Sequence, residues 1–179
     1  MIDAEILAKA REIVRRAGEQ SLSLATAESC TGGLVAAALT AIEGSSAVFD
    51  RGFVTYSNEA KQELLGVSIE SLAAHGAVSQ TVAREMADGA RTHAKVDLAV
   101  SITGIAGPGG GSAEKPVGLV HFALAGPQGV THRAERFGAI GRNEVRRTAV
   151  LVALDLFEAA LAASDGDQVD GASARSEPE

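Results

Sequence analysis

The chain has 179 residues, 46% hydrophobic but only 3% aromatic, which suits one domain with an aliphatic, alanine-rich core. Its net charge is −7, and residues 164–179 hold five acids and one arginine, which argues against a general nucleic-acid-binding protein. A single cysteine excludes an internal disulfide and a cysteine-based zinc cluster. The lack of a signal peptide or long apolar run predicts a cytoplasmic protein without membrane contact.

The first third of the chain predicts a helix, a strand and a second helix. Asp3 is a suitable N-cap for a helix that runs to about Ala17 and carries its apolar residues on one face. Residues 23–27 predict a first strand. Residues 33–42 predict an almost entirely apolar helix, which we expect to be buried on several sides.

The middle of the chain continues this alternation. Residues 48–56 predict a second strand, and Asn58 is the expected N-cap of a short helix that ends at Gly66. Ser79 caps a longer helix to about His93, in which apolar side chains recur every four residues.

The last part of the chain predicts a buried strand, a hairpin and a closing helix. Residues 98–103 are apolar enough for a central strand, and the glycine-rich segment 104–112 follows directly. Residues 118–125 and 130–137 flank a Gly-Pro-Gln-Gly turn and predict a hairpin. A final helix is expected over residues 143–162.

This order of elements predicts a three-layer α/β/α sandwich with a mixed, mostly parallel five-stranded sheet. We expect one domain over residues 1–163 and a disordered acidic tail over residues 164–179. In such sheets ligands bind beyond the carboxyl ends of the strands. The glycine- or hydroxyl-rich turns after Ala27, Tyr56 and Thr103 are therefore expected to converge on one site.

The turn after the first predicted strand carries two candidate nucleophiles. Ser29 precedes a helix start, where free backbone N–H groups stabilise an oxyanion, by roughly 3–4 kcal/mol for one donor in a protease. The same position suits an ordinary N-cap, so both roles stay open. Cys30 is the rival, because a helix N-terminus lowers a thiol pKa, although a lone cysteine is more often buried and inert.

Lys61 is the candidate base. An unperturbed lysine, with a pKa of about 10.4, is neutral in only about 0.04% of molecules at pH 7, so it needs burial to accept a proton. Tyr56, upstream at the strand end, offers a hydroxyl that orients the amine or relays a proton. A solvated surface lysine is the alternative, and the spacing alone does not decide between the two.

The glycine-rich segment 104–112 is a candidate ligand-binding loop. It lacks the Gly-Lys-Ser/Thr ending of a P-loop and a complete dinucleotide fingerprint, yet its glycines allow backbone N–H groups to approach a phosphate. Arg142, before the last predicted helix, either contacts the same ligand or forms a surface ion pair. No spacing of His, Cys, Asp and Glu indicates a metal site, and this chemistry needs no metal and no cofactor.

Several motifs resemble the CinA C-terminal domain family over residues 7–161. They are residues 27–33 (Ala-Glu-Ser-Cys-Thr-Gly-Gly), 44–46, 51–61, 75–79, 101–108 and 115–118. The family includes stand-alone nicotinamide-nucleotide amidohydrolases. The resemblance therefore implies hydrolysis of the carboxamide of nicotinamide mononucleotide to nicotinic acid mononucleotide and ammonia, in pyridine-nucleotide recycling.

The resemblance also implies a serine–lysine mechanism. The family's serine falls on Ser29, its lysine on Lys61 and its tyrosine on Tyr56. Backbone donors over residues 31–33 are then expected to hold the oxyanion. The alternative function is a non-catalytic nucleotide-binding or competence- and damage-associated regulatory protein.

Further expectations from the resemblance concern substrate contacts and assembly. The implied substrate-binding positions are Cys30, Thr31, Gly32, Gly33, Ser46, Thr103, Gly104 and Arg142. Near the C-terminus, family members often have the sequence Phe-x-Gly-Asp-Arg. The corresponding segment here, residues 137–142, is one residue longer and has no acid before the arginine. Because relatives are commonly dimers, we expect a homodimer that binds a small nucleotide substrate and no nucleic acid.

Overall fold

The computed structural model describes the backbone of residues 2–172 and the side chains of residues 2–164. This part of the chain contains six helices and five strands. The helices are α1 Ala4–Glu19, α2 Leu34–Thr40, α3 Asn58–Leu65, α4 Ile69–His75, α5 Gln80–Ala94 and α6 Arg142–Ala172. The strands are β1 Leu24–Glu28, β2 Phe49–Val54, β3 Leu98–Gly104, β4 Leu119–Gly126 and β5 Gly129–Arg136. A short 3-10 turn, Ser45–Ala47, precedes β2.

The strands form one mixed sheet in the order β2-β1-β3-β4-β5. Strand β1 pairs in parallel with both β2 and β3, and the β4–β5 hairpin continues the sheet in antiparallel fashion. Helices α1, α2 and α6 cover one face, while α3, α4 and α5 cover the other. The predicted three-layer sandwich on a mixed five-stranded sheet is therefore confirmed.

The two faces of the sheet carry side chains of different size. On β1 and β3, Leu24, Val100 and Ile102 pack against the layer of α1, α2 and α6. The alternating positions, such as Ala25 and Ala99, pack against the layer of α5. Because successive side chains of a strand point to opposite faces, this small-residue face lets α5 lie close to the sheet.

Three local predictions need correction. Helix α3 is capped by Ser57, whose hydroxyl accepts the N–H of Ala60, and not by Asn58, which is already the first helical residue. Helix α2 is buried on one face only, with Ala37 exposed, because it lies at the surface of the layer. Helix α4 was not predicted, although Ser68 caps it in the usual way.

The last helix, α6, is longer than predicted and runs to Ala172 instead of 162. It therefore includes the first part of segment 164–179, while residues 173–179 lie outside the described residues. Disorder of this acidic tail stays a prediction. Within residues 2–172, none of the helices combines the length and the hydropathy needed to cross a bilayer.

Candidate active site

The turn that carries Ser29 is fixed to the centre of the sheet. Ser29 directly follows β1, and its N–H donates to the Ile102 carbonyl of β3 at 2.9 Å. The Ser29 carbonyl accepts the N–H of Gly32 at 3.0 Å, which closes a tight turn. Gly32 and Gly33 have φ angles of 60° and 92°, a region that favours glycine, so the chain can reverse here and enter α2.

Glu28, the last residue of β1, fills the N-terminus of α2. Its fully buried carboxylate accepts N–H groups from Gly33, Val35 and Ala36 at 2.8–3.1 Å. A carboxylate here is favourable because it meets both the free N–H groups and the positive end of the helix dipole. The N–H groups of Gly32 and Gly33 are therefore engaged within the chain, which corrects the expectation that they hold an oxyanion.

Lys61 lies on α3 with its amine beside the Ser29 hydroxyl. The side chain is 1% exposed, although most lysines lie at the surface. Its Nζ is 3.2 Å from Ser29 Oγ, 2.7 Å from the carbonyl oxygen of Thr55 and 3.4 Å from that of Ser57. All three neighbours are neutral oxygens, so no carboxylate among these contacts compensates a charge on the amine.

Burial lowers the pKa of Lys61, and the more distant Cys30 and Glu59 oppose this shift only in part. A neutral amine has two N–H bonds and one lone pair. The carbonyls of Thr55 and Ser57 accept the two N–H bonds, which leaves the lone pair for the hydroxyl proton of Ser29. The Ser29 hydroxyl and the Lys61 amine thus lie within the hydrogen-bond distance that a nucleophile and its base require.

The surroundings of Cys30 make its thiol a weaker candidate nucleophile than the hydroxyl of Ser29. The residue is 5% exposed, and burial raises the pKa of its thiol to about 12. Because the thiolate is the reactive form, a thiol with this pKa is inert at neutral pH. Of the two candidates that the sequence left open, the burial and the raised pKa of the thiol favour the serine hydroxyl.

A cavity of about 300 Å³ opens above Ser29 and Lys61. The three turns expected to converge do so, because β1, β2 and β3 run in parallel and end at the same edge of the sheet. Of the predicted site residues, the cavity is lined by Ser29, Cys30, Tyr56, Lys61, Thr103, Gly104 and Arg142. Residues 104–107, 109 and 110 of the glycine-rich loop also line it.

Tyr56 and Arg142 form the rim of the cavity. Tyr56 is 62% exposed, and its hydroxyl accepts a hydrogen bond from Arg142 Nη2 at 2.9 Å. Arg142 Nη1 also donates to the Gly107 carbonyl at 2.9 Å. Arg142 therefore joins the tyrosine to the glycine-rich loop, and the Tyr56 hydroxyl bonds to this guanidinium in place of the Lys61 amine it was expected to orient.

The remaining predicted contacts lie outside the cavity. Thr31, Gly32 and Gly33 follow Ser29 by two to four residues but do not line the open space. Ser46 lies just before β2, whose first residue pairs with the first residue of β1, so it sits at the opposite edge of the sheet from Ser29. The structure of this chain does not bring Ser46 to the site.

Two residues of this site were missed by the sequence analysis. Glu28 was read as part of a motif without a role of its own. Arg146 of α6 donates from Nε to the Cys30 carbonyl at 3.1 Å and from Nη2 to the Thr31 carbonyl at 2.9 Å. A signal for Glu28 was available, since an acid a few residues before a predicted helix start suits the helix N-terminus. No sequence signal indicates the distant Arg146.

Comparison with known proteins places this architecture in one family. The sequence matches the CinA C-terminal domain over residues 7–161. It is 53% identical over 156 residues to the nicotinamide-nucleotide amidohydrolase PncC of Escherichia coli, covering 86% of this chain and 93% of that protein. It is also 52% identical over 144 residues to a CinA-like protein of Synechococcus, covering 80% of this chain but only 34% of that longer protein.

Comparison with solved structures identifies the same group of proteins. The crystal structure of the competence/damage inducible protein CihA from Agrobacterium tumefaciens superposes with a TM-score of 0.87 at 52% sequence identity, covering 89% of this chain and 97% of that one. The sequence match and the structural match both extend over nearly the whole described body. The chain therefore belongs to the CinA C-terminal domain family.

Proposed function

We propose that this protein is a nicotinamide-nucleotide amidohydrolase, which converts nicotinamide mononucleotide and water to nicotinic acid mononucleotide and ammonia. A 53% identical relative of similar length carries that name. The observation that carries the proposal is the buried Lys61 amine, 3.2 Å from Ser29 Oγ and surrounded by neutral oxygens. A protein that only binds a nucleotide has no use for this costly arrangement, so the geometry favours catalysis.

The first half of the reaction acylates Ser29. Neutral Lys61 takes the hydroxyl proton as Ser29 Oγ attacks the carboxamide carbon, and the carbonyl electron pair moves to the oxygen. The tetrahedral intermediate then expels the amide nitrogen, which takes the proton from Lys61 and leaves as ammonia. The product of this half is an ester of Ser29 with the nicotinic acid nucleotide.

The second half hydrolyses this ester. With ammonia gone, Lys61 accepts a proton from a water molecule that attacks the ester carbon. Collapse of the second tetrahedral intermediate breaks the bond to Ser29 Oγ, and Lys61 returns the proton to the serine. The amine thus alternates between neutral and charged forms, which its burial between two carbonyls permits because its pKa is lowered.

The rest of the cavity suits the nucleotide. Arg142 is the cation at the rim, and it can exchange its bond to the Tyr56 hydroxyl for one to the substrate phosphate. The backbone of Gly109 and Gly110 lines the same side, where glycines let a phosphate approach closely. Thr103 and Gly104 also line the cavity. Release of nicotinic acid mononucleotide places the reaction in pyridine-nucleotide recycling.

The direct test is ammonia release from nicotinamide mononucleotide by the purified protein. Ser29→Ala should reduce the rate on the order of 10⁴- to 10⁶-fold, because the nucleophile is lost. Ser164→Ala, at a hydroxyl near the end of the described side chains on α6, should keep full activity and serves as the matched control. Wild-type activity in Ser29→Ala would remove the proposed nucleophile.

Assays with the same purified protein distinguish the proposed function from two others. Tight nucleotide binding by wild-type protein without any turnover would favour a non-catalytic regulatory protein. A panel of small amides separates the proposed substrate from another amide cleaved by the same residues. Turnover of such an amide, with nicotinamide mononucleotide left intact, would keep the mechanism and change the substrate.

A cytoplasmic homodimer is also proposed, and its support is the family resemblance. Exposed apolar side chains at Val54, Tyr56 and Leu64 are compatible with a contact between copies. Light scattering of the purified chain tests the assembly, and cell fractionation tests the location. A monomer over the working concentration range would contradict the first part.

A further inference from the structure

We propose that a second cavity, separate from the one above Ser29, binds a phosphate ester through Lys115, His121 and Arg136. This cavity has a volume of about 980 Å³, against about 300 Å³ for the cavity at the candidate active site. Small-molecule sites usually measure about 300–1,000 Å³, so the larger cavity has room for a whole nucleotide. Binding there does not depend on hydrolysis at Ser29.

The larger cavity lies between the start of α5 and the β4–β5 hairpin. Residues 79 and 80 line it from the side of α5, and His121, Ala134 and Arg136 line it from the hairpin. Along β5, Ala134 and Arg136 are alternate residues, so both side chains point to the face of the sheet that α5 covers. The cavity is thus a cleft at the edge of the α5 layer.

Two of the sequence motifs, residues 75–79 and 115–118, meet at this cavity. The Lys115 amine donates a hydrogen bond to the His75 carbonyl, and both residues line the cavity. This bond uses one of the three N–H groups of the ammonium and holds the side chain in place. Lys115 can therefore donate to an anion as well. The proposed hydrolysis at Ser29 uses neither of these two side chains.

The segment before α5 separates the two cavities. Val78 lines both of them, whereas Ser29 and Lys61 line only the smaller one. The Thr103 hydroxyl donates to the Ala77 carbonyl at 2.9 Å, which ties this segment to the end of β3. A ligand in the larger cavity therefore contacts neither the nucleophile nor the base.

The hairpin side of the larger cavity carries a guanidinium without a partner. Arg136 is exposed, and within residues 2–164 its side chain forms no hydrogen bond and no ion pair. The neighbouring Glu135 is already paired with Arg133 at 2.6 Å. Glu114, the other carboxylate of the lining, is exposed to solvent. Arg136 is thus available for the two parallel N–H contacts that suit a phosphate group.

The surroundings of His121 favour an anion over a metal cation. Its Nδ1 is 3.0 Å from Nε2 of His132, a spacing that also suits two ligands of one metal ion. Among the described residues, however, no three His, Cys, Asp or Glu side chains are grouped to hold a metal. Burial, and then the neighbouring His132, Lys115 and Arg136, lower the pKa of His121 to about 4. These charged neighbours are all positive, so an anion is attracted here and a metal cation is repelled.

The other side chains of the lining favour an ester over a free anion. Ala74, Val78, Leu119 and Ala134 add apolar surface to the same cavity. Sites for small molecules combine such apolar walls with a few polar groups that fix the orientation of the ligand. The cations are expected to hold the phosphate group, while the apolar side chains contact the organic part.

Histidine NMR signals measure binding at this place without any turnover. Of the four histidines, His75 and His121 line the cavity, and His132 contacts His121. His93 lies about 20 Å along α5 from Gln80 and serves as the internal reference. The probe is adenosine monophosphate, which has no carboxamide to hydrolyse, added to protein without a histidine tag. We expect saturable shifts of the Cε1–H signals of His75 and His121 and a constant signal for His93.

Three variants locate the phosphate group. Arg136→Met should weaken the binding of adenosine monophosphate about 10- to 100-fold, because charge-assisted hydrogen bonds are lost at an exposed residue that folding does not need. Arg11→Met removes the same charge from an exposed position of α1, on the other face of the sheet, and should keep the affinity. Arg142→Met changes the rim of the smaller cavity and should also keep the histidine shifts.

Each of three results would overturn the proposal. The first is the absence of saturable shifts at His75 and His121, and the second is equal affinity in wild type and Arg136→Met. The third is the loss of these shifts in Arg142→Met but not in Arg136→Met, because the phosphate group then binds in the smaller cavity. Inorganic phosphate should shift the same signals with lower affinity, and equal affinity would exclude a site for an ester. If the shifts are seen but ammonia release is not, only the proposed hydrolysis fails.

Discussion

Two lysines in this structure show how different surroundings shift the pKa of the same side chain in opposite directions. Lys61, on α3, is buried and contacts a hydroxyl and two carbonyls. Lys9, on α1, lies in the partly exposed contact with α6 and forms ion pairs with Asp155 at 2.7 Å and Glu158 at 2.8 Å. Both amines have oxygen neighbours at similar distances. Only at Lys9 do the neighbouring oxygens carry negative charge.

The difference appears in the two pKa values. Hydrogen bonds to Asp155, and then to Glu158, raise the pKa of Lys9 to about 12, so it stays charged. Burial lowers the pKa of Lys61 from 10.5. A carboxylate stabilises the ammonium form, whereas a carbonyl in a buried place does not compensate fully for lost water. The comparison teaches that the kind of oxygen and the burial, and not proximity alone, make a lysine a base.

Replacing Lys61 should have the largest effect on activity. Lys61→Met removes the proton acceptor, and we expect kcat for ammonia release to fall on the order of 10²- to 10⁴-fold. Lys61→Arg keeps a cation at the same place but stays protonated, so it should lose activity to a similar extent. Initial rates on nicotinamide mononucleotide measure both variants, and circular dichroism checks that both are folded.

The Lys61→Arg variant tests whether the site needs a neutral amine or only a positive charge. If Lys61→Arg retained most of the wild-type rate, the site would need a positive charge and not a neutral amine. The contrast with Lys9 would then lose its functional meaning, because a charged lysine would serve equally well at both places.

Gly89→Ala should displace helix α3 and, with it, the Lys61 amine. Gly89 lies on α5, and a Cβ there would overlap the carbonyl of Leu65, the last residue of α3 and one turn after Lys61. Because backbone cannot yield as a side chain does, α3 must shift. We expect a loss of about 1–3 kcal/mol in the free energy of unfolding and at least a roughly tenfold fall in kcat.

Gly18→Ala is the matched control for this substitution. Gly18 is a helical glycine of α1, where an added Cβ would meet only the Val48 side chain at 3.8 Å. It should leave kcat unchanged and raise the free energy of unfolding by roughly 0.5–1 kcal/mol. Urea unfolding and initial rates measure the pair. A Gly89→Ala protein with normal kcat would show that α3 tolerates displacement without moving the amine.

The pH dependence should reflect the lowered pKa of Lys61. Only the neutral amine accepts the proton, so log kcat/KM should rise with a slope of about one below that pKa and then level off. The unfolded lysine titrates near 10.5, so between the two values the unfolded state binds one more proton. The free energy of unfolding should therefore rise by up to about 1.4 kcal/mol per pH unit as pH rises through that window.

Lys61→Met should remove both effects, since it carries no titrating group. The rate profile of the residual activity would lose its acid limb, and the free energy of unfolding would lose this part of its pH slope. Urea titrations at several alkaline pH values, compared between wild type and Lys61→Met, measure the second effect. Identical slopes in the two proteins would mean that the pKa of Lys61 is not lowered in the folded state.

The fold and the reacting pair could be predicted because their signals are local. Alternating strand and helix patterns gave the sandwich, and the segments around Ser29, Tyr56 and Lys61 are each short and specific. The convergence of the turns followed from parallel strands ending at one edge. What joined Ser29 to Lys61 was the family resemblance, since spacing alone did not decide between a base and a solvated surface lysine.

The remaining features depend on contacts between distant parts of the chain. Arg146 contacts the turn after Ser29 from 116 positions away, and Arg142 contacts Tyr56 from 86 positions away. The position of Glu28 just before a predicted helix start was a usable signal, but which α2 N–H groups its carboxylate binds depends on how the turn folds back. Ser46 belongs to a matching motif, yet its place before β2 puts it at the other edge of the sheet.

The smallest expected effect is that of Lys9→Met, which tests the other half of the comparison. The Lys9 ion pairs are partly exposed, and such pairs contribute about 0–1 kcal/mol each, so we expect at most a modest loss in the free energy of unfolding. Because the pKa of Lys9 is raised, this contribution is complete below about pH 10.5 and disappears as pH rises through about 12. The rate of ammonia release should stay at the wild-type value. A clear fall in kcat would mean that the contact between α1 and α6 reaches the site, because α6 also carries Arg142 and Arg146.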